Sequence, residues 1–129
     1  MPQKDIEIIL ARQLASYLAA PIFIVDPEGT LVFYNESAEL LLGKRFDETG
    51  EMKISTWATI FRPMNEKGEP LDSDLLPLVI AIKERRLAHS NFWIRGLDNT
   101  LRQIQVTGFP LVGQADRLLG AVAILWEMK

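Results

Sequence analysis

Residues 21–43 read PIFIVDPEGTLVFYNESAELLLG. In order they give a short apolar run, a tight turn, a second apolar run and a helix that opens on Asn35. Ile22–Val25 is brief and rich in β-branched residues, which suits a buried strand. Asp26-Pro27-Glu28-Gly29 is turn chemistry: Pro27 fixes φ, Asp26 can bond nearby backbone, and Gly29 tolerates positive φ. Thr30–Tyr34 is a second strand, paired antiparallel to the first by the short loop. Asn35 stands at the cap of the next helix, where its side-chain oxygen accepts from free N–H groups of the first turn. Glu36 and Glu39 place negative charge near the helix's positive end. Ala38, Leu41 and Leu42 form an apolar face, and Gly43 supplies a left-handed stop.

A chain of 129 residues with net charge −3 and no cysteine is one domain long enough for a core. The acidic balance argues against a nucleic-acid surface. No apolar run approaches the roughly 20 residues that span a bilayer, and no membrane partner is expected. Without cysteine there is no disulfide, thiolate metal site or thiol nucleophile. The first residues show no signal-peptide core, so a cytoplasmic location is the expectation. Asn35-Glu36-Ser37 matches the glycosylation triplet, but without a secretion signal the capping role takes precedence.

Residues 4–19 carry Ile6, Ile9, Leu10, Leu14, Tyr17 and Leu18 on one helical stripe, ended by Pro21. The helix is too short to stand alone and must pack on its own domain or on a partner. Lys44–Met52 reads as a loop. Ser55-Thr56 is placed to cap a short helix through Phe61, and Asn65–Pro70 is a turn-rich connector. Asp72-Ser73-Asp74 supplies capping oxygens ahead of a helix with Pro77 in its first turn, running to about Arg86. Ser90–Arg95 alternates Phe92 and Ile94 against Asn91, Trp93 and Arg95. Gly96–Thr100 is a hairpin loop. Leu101–Leu111 sets Ile104, Val106 and Gly108 opposite Gln103, Gln105 and Thr107. Leu118–Trp126 is apolar on both faces and must be covered on both, with the N-terminal helix as outer cover. The fold class that follows is α+β: a five-stranded antiparallel sheet with short helices on one face, preceded by an amphipathic helix.

From about residue 15 onward this pattern resembles a PAS domain. Pro21–Asn35 is similar to the family's opening hairpin and helix start. Glu69-Pro70-Leu71 and Leu76-Pro77-Leu78 resemble the approach to its central helix in a bacterial subgroup. Ile94–Arg102 resembles its hairpin between the third and fourth strands, with Asn99 where Gly is usual. Phe109-Pro110-Leu111 and Leu119–Val122 resemble its last strands. The resemblance implies an N-terminal dimerisation helix at 1–19 and a PAS core at 20–129. It implies a sensory, non-enzymatic module in signal transduction, with an output domain such as a histidine kinase or transcription regulator outside this chain. Glu127 stands where the family's terminal Asp-Ile-Thr begins, and a fragment of a larger sensor is expected. Alternatives are a ligand-free dimerisation or docking module and, more remotely, a small α+β enzyme.

PAS ligands sit between the sheet and the short helices. The resemblance therefore makes Phe33, Trp57, Phe61 and Phe92 candidate lining residues. Ile104, Val106 and the small residues Gly108, Ala121 and Ala123 join them. The simpler reading of the same residues is a filled core packed at normal density. Ile6, Ile9, Leu10, Leu14 and Tyr17 are candidates for a homodimer interface, with Trp93 on the outer sheet face. The identity of any cofactor is open. Haem is not expected, because His89 lies past the central helix and no second ligand is evident. Cysteine-adduct flavin chemistry is excluded, and no metal cluster or catalytic constellation stands out.

Overall fold

The computed structural model describes residues 6–60, 63–95 and 101–127. The expected hairpin loop at 96–100, Phe61 and the side chain of Ile6 lie outside the described residues. The elements run α1 (Ile6–Tyr17), β1 (Ile22–Val25), β2 (Leu31–Tyr34), α2 (Glu36–Leu42), α3 (Phe46–Thr49), α4 (Ile54–Ile60), α5 (Pro77–Glu84), β3 (Ala88–Arg95), β4 (Leu101–Val112) and β5 (Leu118–Glu127). Short 3-10 turns occupy Ser73–Leu75 and Gln114–Asp116. The strands form one five-stranded sheet in the order β2-β1-β5-β4-β3, with antiparallel pairing throughout.

Two cores flank the sheet. On the inner face, Phe23, Val25, Phe92, Ile104, Val106 and Leu125 meet Leu41, Leu42, Trp57 and Val79 from the helices. On the outer face, Ile22, Ile24, Val32, Leu119 and Val122 meet Ala15, with Ala11 beside it. The doubly apolar β5 is thus covered on both faces, and α1 approaches the outer one through small residues.

Asp26 Oδ1 accepts from the N–H groups of Glu28 and Thr30, each at 3.0 Å, and Gly29 takes φ +88°. Those bonds close the first hairpin. Asn35 then does more than cap α2. Its Oδ1 accepts from Ala38 N–H at 3.1 Å and from Ile22 N–H at 3.0 Å. Its Nδ2 donates to the carbonyls of Ala15 at 2.8 Å and Ala20 at 2.9 Å. The residue is only 2% exposed, so the glycosylation triplet is structurally spent. Gly43 ends α2 at φ +80°, its N–H bonded to Glu39 O.

Several boundaries differ from the sequence expectation, and β3 already begins at Ala88, two residues ahead of Ser90. The loop at 44–52 contains the single turn α3. Glu39 accepts from Phe46 N–H at 2.7 Å, and Phe46 packs edge-on against Tyr34. Helix α4 starts at Ile54, ahead of Ser55-Thr56, because Met52 is bridged to Leu31 and the Lys53 carbonyl opens the first turn. Helix α5 stops at Glu84, with Arg85 in the left-handed region at φ 53°, and Asp72 caps the separate 3-10 turn.

Tyr34 is fully buried, and its hydroxyl sits 3.0 Å from Lys44 O and 3.1 Å from Thr49 Oγ1. Burial raises its pKa above the ordinary phenol value; Glu39 and Glu48 add to the rise, and the Thr49 bond opposes it.

Asn35→Ala should cost about 2–4 kcal/mol in chemical denaturation, because a cap is lost and buried backbone groups are left unpaired. A loss below ~0.5 kcal/mol would refute the hub role. Tyr34 makes a second test. Its folded pKa lies above the unfolded one, so its contribution is intact below about pH 10 and falls away as pH rises further, where the unfolded chain gives up its proton first. Tyr34→Phe should flatten the alkaline limb of the stability profile while costing ~0.5–1.5 kcal/mol at neutral pH.

Candidate functional site: an apolar cavity under the sheet

The inner face of the sheet does not close completely on the helices. A cavity of about 70 Å³ lies among Phe23, Leu31, Leu42, Trp57, Pro63, Leu76, Pro77, Leu78, Phe92, Ile94, Ile104, Val106, Ala123 and Leu125. No polar atom of the lining faces it. An apolar space of this kind stays dry, because water inside would find no partner. A cavity of roughly 150 Å³ holds a benzene-sized molecule, so this one admits a group of a few heavy atoms unless its walls move.

Each wall has a local cause. Strands β3, β4 and β5 alternate, so Phe92, Ile104, Val106, Ala123 and Leu125 point inward while Trp93, Gln103, Gln105 and Trp126 point outward. Trp57 is fixed by its polar end: its Nε1–H donates to Gly29 O at 2.8 Å. The indole thus fills the hairpin side of the cavity and is anchored to the β1–β2 turn.

The cavity gathers Trp57, Phe92, Ile104, Val106 and Ala123 from the residues expected to line it. Three others do different work. Phe33 is on the outer face. The register of β1 and β2 shifts between Ile24 and Val25, so that Leu31 pairs with Val25, Phe33 with Ile24 and Tyr34 with Phe23. The extra residue, Val32, carries Phe33 away from the interior, where it packs with the outer cluster and the edge of Phe46. Gly108 faces inward, but a Cβ there would lie 2.7 Å from the backbone C and O of Pro77. Its missing side chain seats the start of α5 on β4 and leaves no ligand space. Ala121 is a fully buried core residue set away from the cavity lining. Sequence reasoning did not single out Phe23, Leu31, Pro63 or Leu76 as lining. Phe23 and Leu31 sit in runs buried throughout, where alternation gives no signal.

Of the expected interface residues, Leu10 is 56%, Leu14 62% and Tyr17 86% exposed, and Ile9 is exposed with them. Trp93 is half-buried on the outer face. His89 is exposed, its Nδ1 2.9 Å from Thr107 Oγ1. Among the described residues, no three His, Cys, Asp or Glu cluster to hold a metal, and no helix is long and apolar enough to cross a membrane.

An open antiparallel sheet in the order 2-1-5-4-3, with short helices packed on one face over an interior cavity, is the PAS fold. Solved structures bear this out. A PAS domain of a protein from Colwellia psychrerythraea superposes with TM-score 0.67 at 17% identity, covering 96% of this chain and 98% of that one. The PAS domain of nitrogen regulation protein NR(II) from Vibrio parahaemolyticus gives 0.64 at 17%, covering 92% and 98%. A LOV protein from Rhodobacter sphaeroides gives 0.73 at 12%, covering 97% and 69%. No protein-family model and no curated protein matches the sequence.

Proposed function

We propose that this chain is a sensory PAS module. A small apolar ligand occupies the interior cavity, and the change passes to a partner or output domain. The carrying observation is the cavity itself, apolar throughout and anchored through Trp57 to the hairpin turn. From that turn the route to the outside is short. Gly29 leads into β2, β2 into Asn35, and Asn35 holds the carbonyls of Ala15 and Ala20 at the end of α1. A ligand that displaces the indole alters the support of α1, and the readout is a population shift between two settings of that helix. The PAS domain in a nitrogen regulation protein shares the fold and fits a signalling role.

The exposed stripe Ile9, Leu10, Leu14 and Tyr17 supports pairing with a second copy, since so much apolar surface on one helix is costly in water. The output would then be read as a change in dimer geometry.

Titration with xenon under pressure should shift the amide resonances of Phe92, Val106 and Ala123 and quench or shift Trp57 emission. Ala123→Leu, which fills the space, should abolish both. A protein that takes up no xenon and carries no small molecule through purification would sink the ligand reading. Leu10→Glu combined with Leu14→Glu should convert a dimer to monomer in sedimentation with the fold retained by circular dichroism. An unchanged sedimentation coefficient would remove α1 from the interface.

A further inference from the structure

Strand β3 closes one end of the sheet, and its free edge is only partly used. Trp93 exchanges both backbone bonds with Met64, its N–H donating at 2.9 Å and its C=O accepting at 2.8 Å. In an antiparallel ladder alternate residues direct both groups to the same side. Trp93 therefore faces away from β4, and so do Asn91 and His89. Both are exposed, and among the described residues no protein group meets their outward N–H or C=O. The strand pairs with β4 over eight residues without a bulge and contains neither Pro nor Lys, so outside the Met64 bridge and the terminal Arg95 the edge at His89 and Asn91 has no bulge, proline or lysine to block pairing. The opposite edge is different: β2 is short, and Leu31 is bridged to Met52.

A groove of about 460 Å³ follows the open edge of β3. Leu71, Leu75, Phe92 and Trp93 supply its apolar lining, and Asn91 and Gln103 its polar one. Leu75 is 57% exposed although it faces this groove. Glu66 is the charged carboxylate in the lining. The connector behind it carries Glu69, Asp72 and Asp74 against Lys67, and of these Asp74 is matched by Lys83.

We propose that this edge docks an extended peptide strand of another protein, one that alternates apolar and basic residues. Its backbone continues the pairing that Met64 begins and satisfies Asn91 and His89. Its alternate side chains fall on Leu71 and Leu75, and its basic residues meet Glu66 and the acidic connector. A second copy of this chain is the poorer occupant, since edge-to-edge pairing would bring two acidic connectors together.

The test uses the full chain labelled with ¹⁵N and three capped hexapeptides: alternating lysine and valine, alternating glutamate and valine, and the lysine peptide N-methylated at alternate residues. The lysine–valine peptide should slow amide exchange at His89 and Asn91 at least tenfold. The N-methylated peptide should give no protection, and the glutamate peptide should bind at least tenfold more weakly. Leu75→Gln, a neutral change on an exposed side chain, should weaken binding of the lysine peptide by removing the apolar wall. Asn91→Pro should block it at the backbone, and Leu75→Gln stands alone if that variant fails to fold. No protection at millimolar lysine peptide overturns the proposal, as does equal protection by the glutamate peptide. Protection that rises with protein concentration in the absence of peptide also overturns it and assigns the edge to a second copy.

Discussion

The hydrogen-bonding of one buried carboxamide joins the parts of this fold. Asn35 lies where β2 becomes α2, and its two ends face different elements. The oxygen binds the N–H groups that start α2 and β1; the nitrogen binds the carbonyls at and beyond the end of α1. Serine or aspartate would serve as well for a cap. Only an amide donates two bonds while accepting two others here, because a hydroxyl has one proton to give and a carboxylate would set negative charge against the carbonyls of Ala15 and Ala20. The helix on the outer face, the first strand and the first inner helix thus share one polar anchor inside apolar surroundings, where an unpaired group is most costly.

Much of this architecture is legible in the residues, and the reasons are local. The inward set Phe92, Ile104 and Val106 follows from period-2 alternation in strands whose outer residues are polar. The turn at Asp26–Gly29 and the cap at Asn35 follow from chemistry confined to a few neighbours. The failures share a different cause. Phe33 leaves the interior because of a bulge at Val32, and four apolar residues in a row carry no mark of a register shift. Gly108 looks like spare room, yet it is the contact that lets Pro77 reach the sheet. The long-range partners of Asn35 join positions up to 20 residues apart, which no short window reveals.

The cavity survives through a division of labour between these features. Gly108 draws the start of α5 onto β4, and the bond from Trp57 to Gly29 holds the indole toward the β1–β2 turn. Two walls of the space, Pro77 and Trp57, are thus held by contacts elsewhere. This is why Ala123 can leave a gap while Ala121, two residues earlier on the same face, does not.

The size of the gap sets a limit on what any occupant could do. At roughly 24 cal/mol per Å³, a cavity of about 70 Å³ represents about 1.7 kcal/mol of lost packing. A ligand that did no more than refill it in one arrangement of the protein could bias two arrangements by roughly 15- to 20-fold. That is enough to take an equilibrium from about one in five to about four in five, and far short of the roughly 10⁴-fold needed to throw it from one extreme to the other. A switch operated from this cavity therefore has to start near balance, within about 1 kcal/mol, or its ligand must open the walls and use contacts the closed form does not offer. The Trp57 indole is the wall best placed for the second route. Moving it breaks a hydrogen bond, about 1 kcal/mol net, in addition to the packing the indole gives up, and that bond leads directly to the hairpin and Asn35.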